Sequence, residues 1–176
     1  LGSVDNNLND LGKLSVKELK SKFKGIGQVK ATIINAALEL GKRRAGSDPI
    51  QRPAIRASKD AYLLFHPLLC DLPHEELWIA LTNRSSLVIE KLKISQGGTN
   101  ETSADLRIIL KAAINALAAG IIVCHNHPSG CSHPSRQDDL LTQRLRDAAR
   151  LIEVQLLDHI VLSDGNYYSY SDEGKL

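Results

Sequence analysis

Residues 120–138 read GIIVCHNHPSGCSHPSRQD, and the fold is best predicted outward from this stretch. The apolar run at 120–124 is typical of a strand that is buried on both faces of a sheet. Pro128 prevents that strand from continuing, and the loop after it leads to Ser135, a good N-cap for a helix. A buried strand joined by a short loop to a helix predicts an α/β domain built in layers.

From residue 58 onwards, the segments around this stretch alternate between strand-like and helical patterns. Alternating or continuous aliphatic runs predict strands, and apolar residues spaced three or four apart predict helices. The predicted elements are, in order, a helix capped by Ser58, strands at 77–82 and 87–95, a helix at 103–119, the strand at 120–124, a helix from Ser135 to Ile152, and strands at 154–162 and 167–170.

The first 57 residues have a different character. Residues 1–12 are polar and rich in turn formers, and we expect them to be poorly structured. A capping-box pattern at 15–18 predicts a short helix, which ends near Gly25 and Gly27, and a longer helix follows. These patterns predict a helical region at 1–45, a proline-containing linker at 46–57 and a larger domain at 58–176.

Charge is divided unevenly along the chain. The net charge of +2 is the sum of +7 over residues 1–59 and −5 over residues 60–176. Such a division suggests two functional parts, of which the basic one suits an anionic partner. The apolar fraction of 43% is sufficient for a hydrophobic core.

Several protein classes are disfavoured by what the sequence lacks. No apolar run approaches the roughly 20 residues of a membrane-spanning helix, and no signal peptide pattern opens the chain. The three cysteines, Cys70, Cys124 and Cys131, are an odd number without CxxC spacing, which argues against a disulfide framework and favours the reducing cytoplasm. Because the sequence contains no Met, we expect it to begin inside a longer parent protein.

The histidine pair at the end of the predicted strand suggests a metal site. His125 and His127 are two residues apart, and such residues point to the same side of an extended chain, so both imidazoles can face one ion. Asp138 is expected in the first turn of the next helix, from which it can fold back over them. Two imidazoles and one carboxylate leave a tetrahedral Zn²⁺ one open position, as in catalytic sites.

Other interpretations of these residues stay open. An HxH pattern by itself is more often a packing or surface feature than a pair of ligands. Cys124 should point to the opposite face of the strand and pack as a small core residue. Cys131 and His133 lie in the loop, where either can approach a metal or simply be exposed.

Taken together, these residues resemble a known motif. His125-x-His127-Pro128, six residues, Ser135, two residues and Asp138 match the JAMM (MPN-plus) pattern H-x-H-P-x₆-S-x₂-D without a gap. The resemblance is narrower still, to the bacterial RadC family, over roughly residues 14–170. It is carried by HNHPSG at 125–130, PSxxD at 134–138, LDHI at 157–160, Gly98-Thr99, and the glycine and alanine pattern at 25–41.

The resemblance implies a fold of the JAMM/MPN, cytidine-deaminase-like type. In this fold, helices flank a mixed β-sheet, and in the RadC family a small all-α helix-hairpin-helix segment precedes it. Since the chain starts inside that helical region, it looks like a RadC fragment that lacks the first helices.

The resemblance also implies roles for individual residues. JAMM enzymes use a glutamate just before the first strand as general base, and Glu76 matches it best, with Glu75 as the alternative. Both can instead be surface charges. Ser135 matches the serine that hydrogen-bonds the attacking water or the developing oxyanion, in addition to its expected N-cap role.

Two other groups of polar residues have open roles. Asp158 and His159 interrupt an apolar strand, where polar groups need partners, so they either make structural hydrogen bonds or orient the metal ligands. Ser129 and Thr99 either line the cleft or serve as turn and cap residues.

Gly25 and Gly27 resemble the hairpin of a helix-hairpin-helix module, which binds the DNA backbone through main-chain amides. Lys24 and Lys30 flank them and add sequence-independent attraction that salt would weaken. The alternatives are a glycine that merely permits a tight helix corner and a basic face that is merely solvated.

The favoured function is therefore that of a zinc metallopeptidase, which hydrolyses an amide or isopeptide bond in a peptide or protein substrate, with non-specific recruitment to DNA by the basic part. One alternative is a DNA repair or recombination accessory protein with a non-catalytic metal. Another is a metal-dependent nuclease, although nucleases commonly use two ions about 3.5–4 Å apart.

Overall fold

The computed structural model describes residues 7–48, 51–97 and 104–176. The chain divides into two compact units, Leu1–Gln51 and Arg52–Leu176. The predicted cleft residue Thr99, its neighbour Gly98 and the predicted helix start at Ser103 lie outside the described residues. No helix among the described residues combines the length and the apolar character that crossing a bilayer requires.

The first unit is helical. Its helices are α1 (Leu8–Gly12), α2 (Val16–Lys22) and α3 (Gln28–Ala45). The predicted capping box at the start of α2 is present, because Ser15 and Glu18 each accept a hydrogen bond from the other's backbone N–H. The expectation of poor structure is wrong for α1, where the Asn7 side chain caps the helix by accepting from the Asn9 N–H at 2.9 Å.

The second unit is a five-stranded mixed sheet flanked by helices, as predicted. The strand order is β2-β1-β3-β4-β5; β3 and β4 are parallel, and the other neighbouring strands are antiparallel. The elements are α4 (Ser58–Leu69), β1 (Glu76–Thr82), β2 (Val88–Gln96), α5 (Leu106–Asn115), β3 (Gly120–Asn126), α6 (Arg136–Leu151), β4 (Gln155–Ser163) and β5 (Asn166–Ser169).

The sheet carries a hydrophobic core on each face, and β3 contributes to both. Ile121 and Val123 pack in the core that contains residues of α5 and α6. Ile122 and Cys124 pack in the core that contains residues of α4. This division explains the uninterrupted apolar run, because successive residues of a strand point to opposite faces. Cys124 is a core residue, as expected.

Two details at the start of the second unit differ from the sequence-based expectation. Ser58 is the first residue of α4 rather than its cap: the Asp60 carboxylate accepts from the backbone N–H groups of Arg56 and Ala57. Within the segment at 46–57, Ile55 is buried, and its N–H donates to the Ser86 carbonyl at 2.9 Å. The end of that segment therefore packs against the β1–β2 hairpin.

Candidate metal centre

The carboxyl end of β3 places both histidines. His125 is 3% exposed and shares one side of the strand with His127, two residues later. The His127 N–H donates to the Leu162 carbonyl of β4 at 2.8 Å, so pairing with β4 continues one residue beyond the strand. Pro128, which has no N–H, follows at once and releases the chain into the loop.

The first turn of α6 places the carboxylate. Ser135 is the N-cap of this helix, and its Oγ accepts from the Asp138 N–H at 3.2 Å. In return, Asp138 Oδ2 accepts from both the N–H and the Oγ of Ser135, each at 2.7 Å. This capping box fixes the carboxylate rotamer, and it turns the carboxylate toward the histidines.

The three side chains converge on one point. Nε2 of His125 lies 3.0 Å from Nε2 of His127, and Asp138 oxygens lie 3.3 Å and 3.6 Å from those two nitrogens. A tetrahedral zinc ion with ligands at about 2.0–2.1 Å separates its ligand atoms by about 3.3 Å. The residues present therefore fit the ion: these three could hold a metal.

A chain of hydrogen bonds sets the tautomer of His125. The Thr142 hydroxyl donates to the Asp138 carbonyl at 2.6 Å, so it can only accept from Nδ1 of His159, also at 2.6 Å. Burial lowers the pKa of His159 well below its ordinary value, so the ring is neutral and its Nε2 is an acceptor. Nδ1 of His125, 2.9 Å away, must then donate, which leaves a lone pair on the Nε2 that faces Asp138.

His127 is oriented in the same sense by the loop. Its Nδ1 lies 2.8 Å from the Cys131 carbonyl, which can only accept, so the proton is on Nδ1. In their neutral forms, both histidines therefore turn an Nε2 lone pair toward each other and toward the Asp138 carboxylate, an arrangement that suits a bound cation.

The ionisation of the cluster agrees with this arrangement. The contact with Asp138 raises the pKa of His127 against the effect of burial, so the carboxylate stabilises a positive charge at this position. Burial alone would raise the pKa of the Asp138 carboxyl, but its contacts with His125 and His127 outweigh burial and hold the pKa well below the usual range. The carboxylate is thus ionised, the form in which it binds a metal.

Comparison with known proteins agrees with this geometry. A family model described as the RadC-like JAB domain matches residues 55–175. The chain belongs to the RadC family. The match covers the sheet, its flanking helices and the whole His–His–Asp group, so the RadC domain is a member of the JAMM/MPN superfamily.

Similar proteins cover the helical unit as well. A "UPF0758 protein" of Flavobacterium johnsoniae is 44% identical over 168 residues, which are 96% of this chain and 73% of that protein. One of Porphyromonas gingivalis is 44% identical over 177 residues, covering 100% of this chain and 78% of its own length. One of Streptococcus sanguinis is 37% identical over 166 residues, covering 94% and 73%. That shared name states no activity.

Glu76, the preferred base from the sequence, lies on the opposite face of the RadC sheet from the candidate ligands His125 and His127. Its carboxylate accepts from the Trp78 indole at 2.8 Å and lies 3.1 Å from both His74 Nε2 and Lys93 Nζ. Burial raises the pKa of Glu76, but these three partners outweigh it and lower the pKa. The carboxylate is thus fully engaged in a closed network away from His125.

Glu75, the alternative, lies on the side of the candidate ligands. Leu77 is directly opposite His125 in the β1–β3 ladder, so the two side chains share a face of the sheet. Glu75 precedes Leu77 by two residues, just before β1 begins, and residues two apart in an extended chain share a face. Its negative charge is one of those that raise the pKa of His127, which places it within electrostatic reach of the site.

Asp158 and His159 have different partners, although they are adjacent. Asp158 accepts from the Ser169 hydroxyl at 2.6 Å and from the Ser171 N–H at 3.0 Å, so it holds the turn that follows β5. His159 is buried, and its Nε2 lies 2.9 Å from Nδ1 of the candidate ligand His125. Asp158 therefore makes structural hydrogen bonds, one of the two roles predicted for this pair, and the other role, orienting a metal ligand, stays a prediction for His159.

Three residues of the loop after β3 do not join the metal group. Ser129, Cys131 and His133 are exposed. The contribution of Cys131 is its backbone carbonyl rather than its thiol, and the His133 ring lies against Tyr168.

The predicted DNA-binding residues lie together in the turn between α2 and α3. Gly25 has φ +87°, a left-handed conformation that suits glycine, and Gly27 is the N-cap of α3. Lys24 is exposed, and Lys30 Nζ lies 3.4 Å from the Gly25 carbonyl. DNA contact by these residues stays a prediction.

Two supporting residues escaped the sequence analysis. Thr142 lies four residues after Asp138, hence on the same face of α6, and that spacing was a usable signal. Asn126 is a polar residue in an otherwise apolar strand, which signals that it has a partner but not which one.

A cavity of about 310 Å³ opens beside His127. Pro128 and Leu162 contribute apolar wall, and Asp71 and Asp164 contribute carboxylates. Neither His125 nor Asp138 lines this cavity, whose other walls include Leu69 of α4 and Asn126 on the opposite face of the sheet.

Proposed function

We propose that this RadC protein is a zinc-dependent hydrolase that cleaves an amide or isopeptide bond in a peptide or protein. The observation that carries the proposal is the convergence of two imidazole lone pairs and one carboxylate at the spacing of three tetrahedral ligands. Three protein ligands leave a fourth position open, which is the arrangement of catalytic rather than structural zinc sites.

His125, His127 and Asp138 would hold the ion. A zinc ion with three protein ligands supplies Lewis acidity that activates a water molecule for attack on a carbonyl. His159 and the Cys131 carbonyl fix the two ring orientations, and Ser135 fixes the carboxylate. These contacts keep the three ligand atoms in place before any ion arrives, which favours binding.

We assign the general base to Glu75 rather than Glu76. The base accepts a proton from the attacking water and returns it to the leaving amine, so it has to face the same space as the ligands. The strand alternation that puts Leu77 beside His125 supports this position for Glu75. The Glu76 side chain lies on the other face of the sheet, where its carboxylate forms a salt bridge with Lys93.

Ser135 is assigned to positioning Asp138. Its single hydroxyl proton is donated to Oδ2 of that carboxylate, and its lone pair accepts from the Asp138 N–H. A direct role at the developing oxyanion would require the hydroxyl to give up the first of these bonds.

The first unit supports an additional role in recruitment to DNA. The net charge of +4 over residues 1–51, nine Lys and Arg against five Asp and Glu, and the glycine turn before α3 favour non-specific contact with phosphates. For the hydrolytic site itself, a peptidase is favoured over a nuclease. Only one group of three candidate ligands occurs among the described residues, whereas nucleases commonly pair two ions.

The proposal is tested by zinc calorimetry combined with hydrolysis assays on the zinc-loaded chain. The substrates are a quenched-fluorescence peptide library, a second library of lysine isopeptide-linked pairs, and supercoiled plasmid DNA. We expect one zinc per chain and cleavage in at least one peptide library, with Glu75→Gln retaining zinc and losing cleavage. Absence of zinc binding, or cleavage of plasmid DNA alone, would overturn the proposal.

A further inference from the structure

Asn126 stands between the two histidine ligands and points away from them. Successive residues of β3 alternate between faces, so its side chain leaves the strand on the side opposite His125 and His127. The residue is 4% exposed, and a buried amide needs partners for both its donor and its acceptor.

Its two partners flank Glu75. Oδ1 of Asn126 accepts from the Glu76 N–H at 2.8 Å, and Nδ2 donates to the His74 carbonyl at 2.9 Å. Because a carbonyl only accepts and an N–H only donates, this orientation of the amide is unique. The two peptide groups on either side of the Glu75 Cα are thus bound by one side chain.

The contact between Asn126 and the backbone beside Glu75 lies just beyond the end of the β1–β3 ladder. Pairing between β1 and β3 begins at Leu77 opposite His125, so the residues before Leu77 have no β3 partner in that ladder. On the other side, the Gly97 N–H donates to the Glu75 carbonyl at 3.0 Å. The Glu75 backbone is therefore bound from both sides, by the Gly97 N–H just after β2 and by the Asn126 side chain of β3.

We propose that Asn126 is a positioning residue that fixes the general base Glu75 relative to His125 and His127. The end of β3 then provides the two proposed ligands, His125 and His127, and between them Asn126, which positions the base. A small shift of β3 therefore moves all three residues together. The inference rests on the proposed function, because it assumes that Glu75 acts on the attacking water.

The test compares Asn126→Ala with a matched control in the same hairpin. Asn83 also binds backbone with its side chain, accepting from the N–H groups of Ser85 and Leu87 at 2.9 Å and 3.0 Å, but at the far end of β1. Hydrogen exchange of the Glu76 amide, zinc affinity, and kcat and KM on the peptide that the wild type cleaves are measured for Asn126→Ala, Asn83→Ala, Glu75→Gln and the Asn126→Ala/Glu75→Gln pair.

For Asn126→Ala we expect about tenfold faster exchange of the Glu76 amide, because its acceptor is lost. The kcat should fall about 10- to 100-fold while KM and zinc affinity stay near the wild-type values. Adding it to Glu75→Gln should lower kcat no further. Asn83→Ala should leave kcat unchanged, even though it lowers the melting temperature. If Asn126→Ala does not fold, Asn126→Gln replaces it in the test. This variant keeps the amide but displaces it, so it should lower kcat by less than the 10- to 100-fold expected for Asn126→Ala.

The outcomes separate the two claims. If Glu75→Gln loses cleavage but the Asn126 variants keep it, the inference is wrong and the proposed function stands. If the kcat losses of Asn126→Ala and Glu75→Gln multiply in the pair, Asn126 does not act through Glu75. If the zinc-loaded wild type cleaves neither peptide library, the proposed function fails and this inference falls with it.

Discussion

Two polar clusters lie on opposite faces of the sheet near the start of β1. They differ in whether the polar atoms at the centre of the cluster have hydrogen-bond donors as partners. In the Glu76 cluster, the carboxylate is surrounded by donors from Trp78, His74 and Lys93, so charge and hydrogen bonds are satisfied within the protein. In the metal cluster, the outer atoms are satisfied, but two lone pairs and a carboxylate face one another. A closed network stabilises a fold, whereas converging acceptors suit a bound cation.

The comparison also shows how adjacent residues of one strand acquire different functions. Glu75 and Glu76 have the same chemistry and differ by one position, which in an extended chain means opposite faces. One face meets the candidate ligands at the end of β3 and in α6, and the other meets the side chain of Trp78.

The largest expected effect is the loss of a ligand. His127→Ala should abolish zinc binding at micromolar concentration, and with it all cleavage, because two ligands do not hold the ion. His133→Ala is the matched control, since His133 is exposed in the same loop. Isothermal calorimetry measures both; equal zinc affinities in the two variants would mean that His127 is not a ligand.

Replacing each of the two glutamates by glutamine, one at a time, tests the contrast between the two faces of the sheet directly. Glu75→Gln should lower kcat by about 10²- to 10⁴-fold with little change in stability, as expected for a general base. Glu76→Gln should leave kcat nearly unchanged and lower the free energy of unfolding by about 1–3 kcal/mol, because Trp78, His74 and Lys93 lose a charged acceptor. Steady-state kinetics and urea unfolding check the pair, and the reverse pattern would return the base to Glu76.

The chain of hydrogen bonds that orients His125 is tested at Thr142, the residue at its far end. Thr142→Val removes the acceptor for His159 Nδ1 and should weaken zinc binding about 10- to 100-fold, since the ring of His125 loses its fixed tautomer. Thr82→Val provides the control, because the Thr82 hydroxyl is buried without a hydrogen-bond partner among the described residues. Competition with a zinc chelator measures both affinities. Unchanged affinity in Thr142→Val would show that the chain of hydrogen bonds does not act on the metal.

The smallest effect is the pH dependence of the Glu76 cluster. The pKa of Glu76 is lowered in the folded state, so its stabilisation is present above the unfolded pKa of about 4.3 and is lost as pH falls through the folded value. The difference in unfolding free energy between the wild type and Glu76→Gln should therefore shrink below about pH 4. Urea titrations at several pH values measure it, and a difference that stays constant to pH 3 would contradict a charged network.

The sequence predicts the larger features of both fold and site because they depend on local rules. The apolar run at 120–124 indicates a strand between two cores, and the spacing of His125 and His127 indicates one shared side. The position of Asp138 follows from the Ser135 cap. These relations all lie within about twenty residues of sequence, so neither strand register nor long-range contacts are needed to find them.

What the sequence could not provide depends on contacts across the sheet. The choice between Glu75 and Glu76 requires the register of β1 against β3, because a shift of one residue exchanges the two faces. The partners of Asn126 lie 50 and 52 residues away, and no local pattern identifies them. The short helix α1 was missed because its cap at Asn7 outweighs a composition typical of turns.

X-ray absorption at the zinc edge of the loaded protein tests the central claim most directly. The account predicts one zinc per chain with a first shell of nitrogen and oxygen only, at about 2.0–2.1 Å, including two imidazoles. Sulfur at about 2.3 Å would assign a ligand to Cys131 and contradict the His125–His127–Asp138 site.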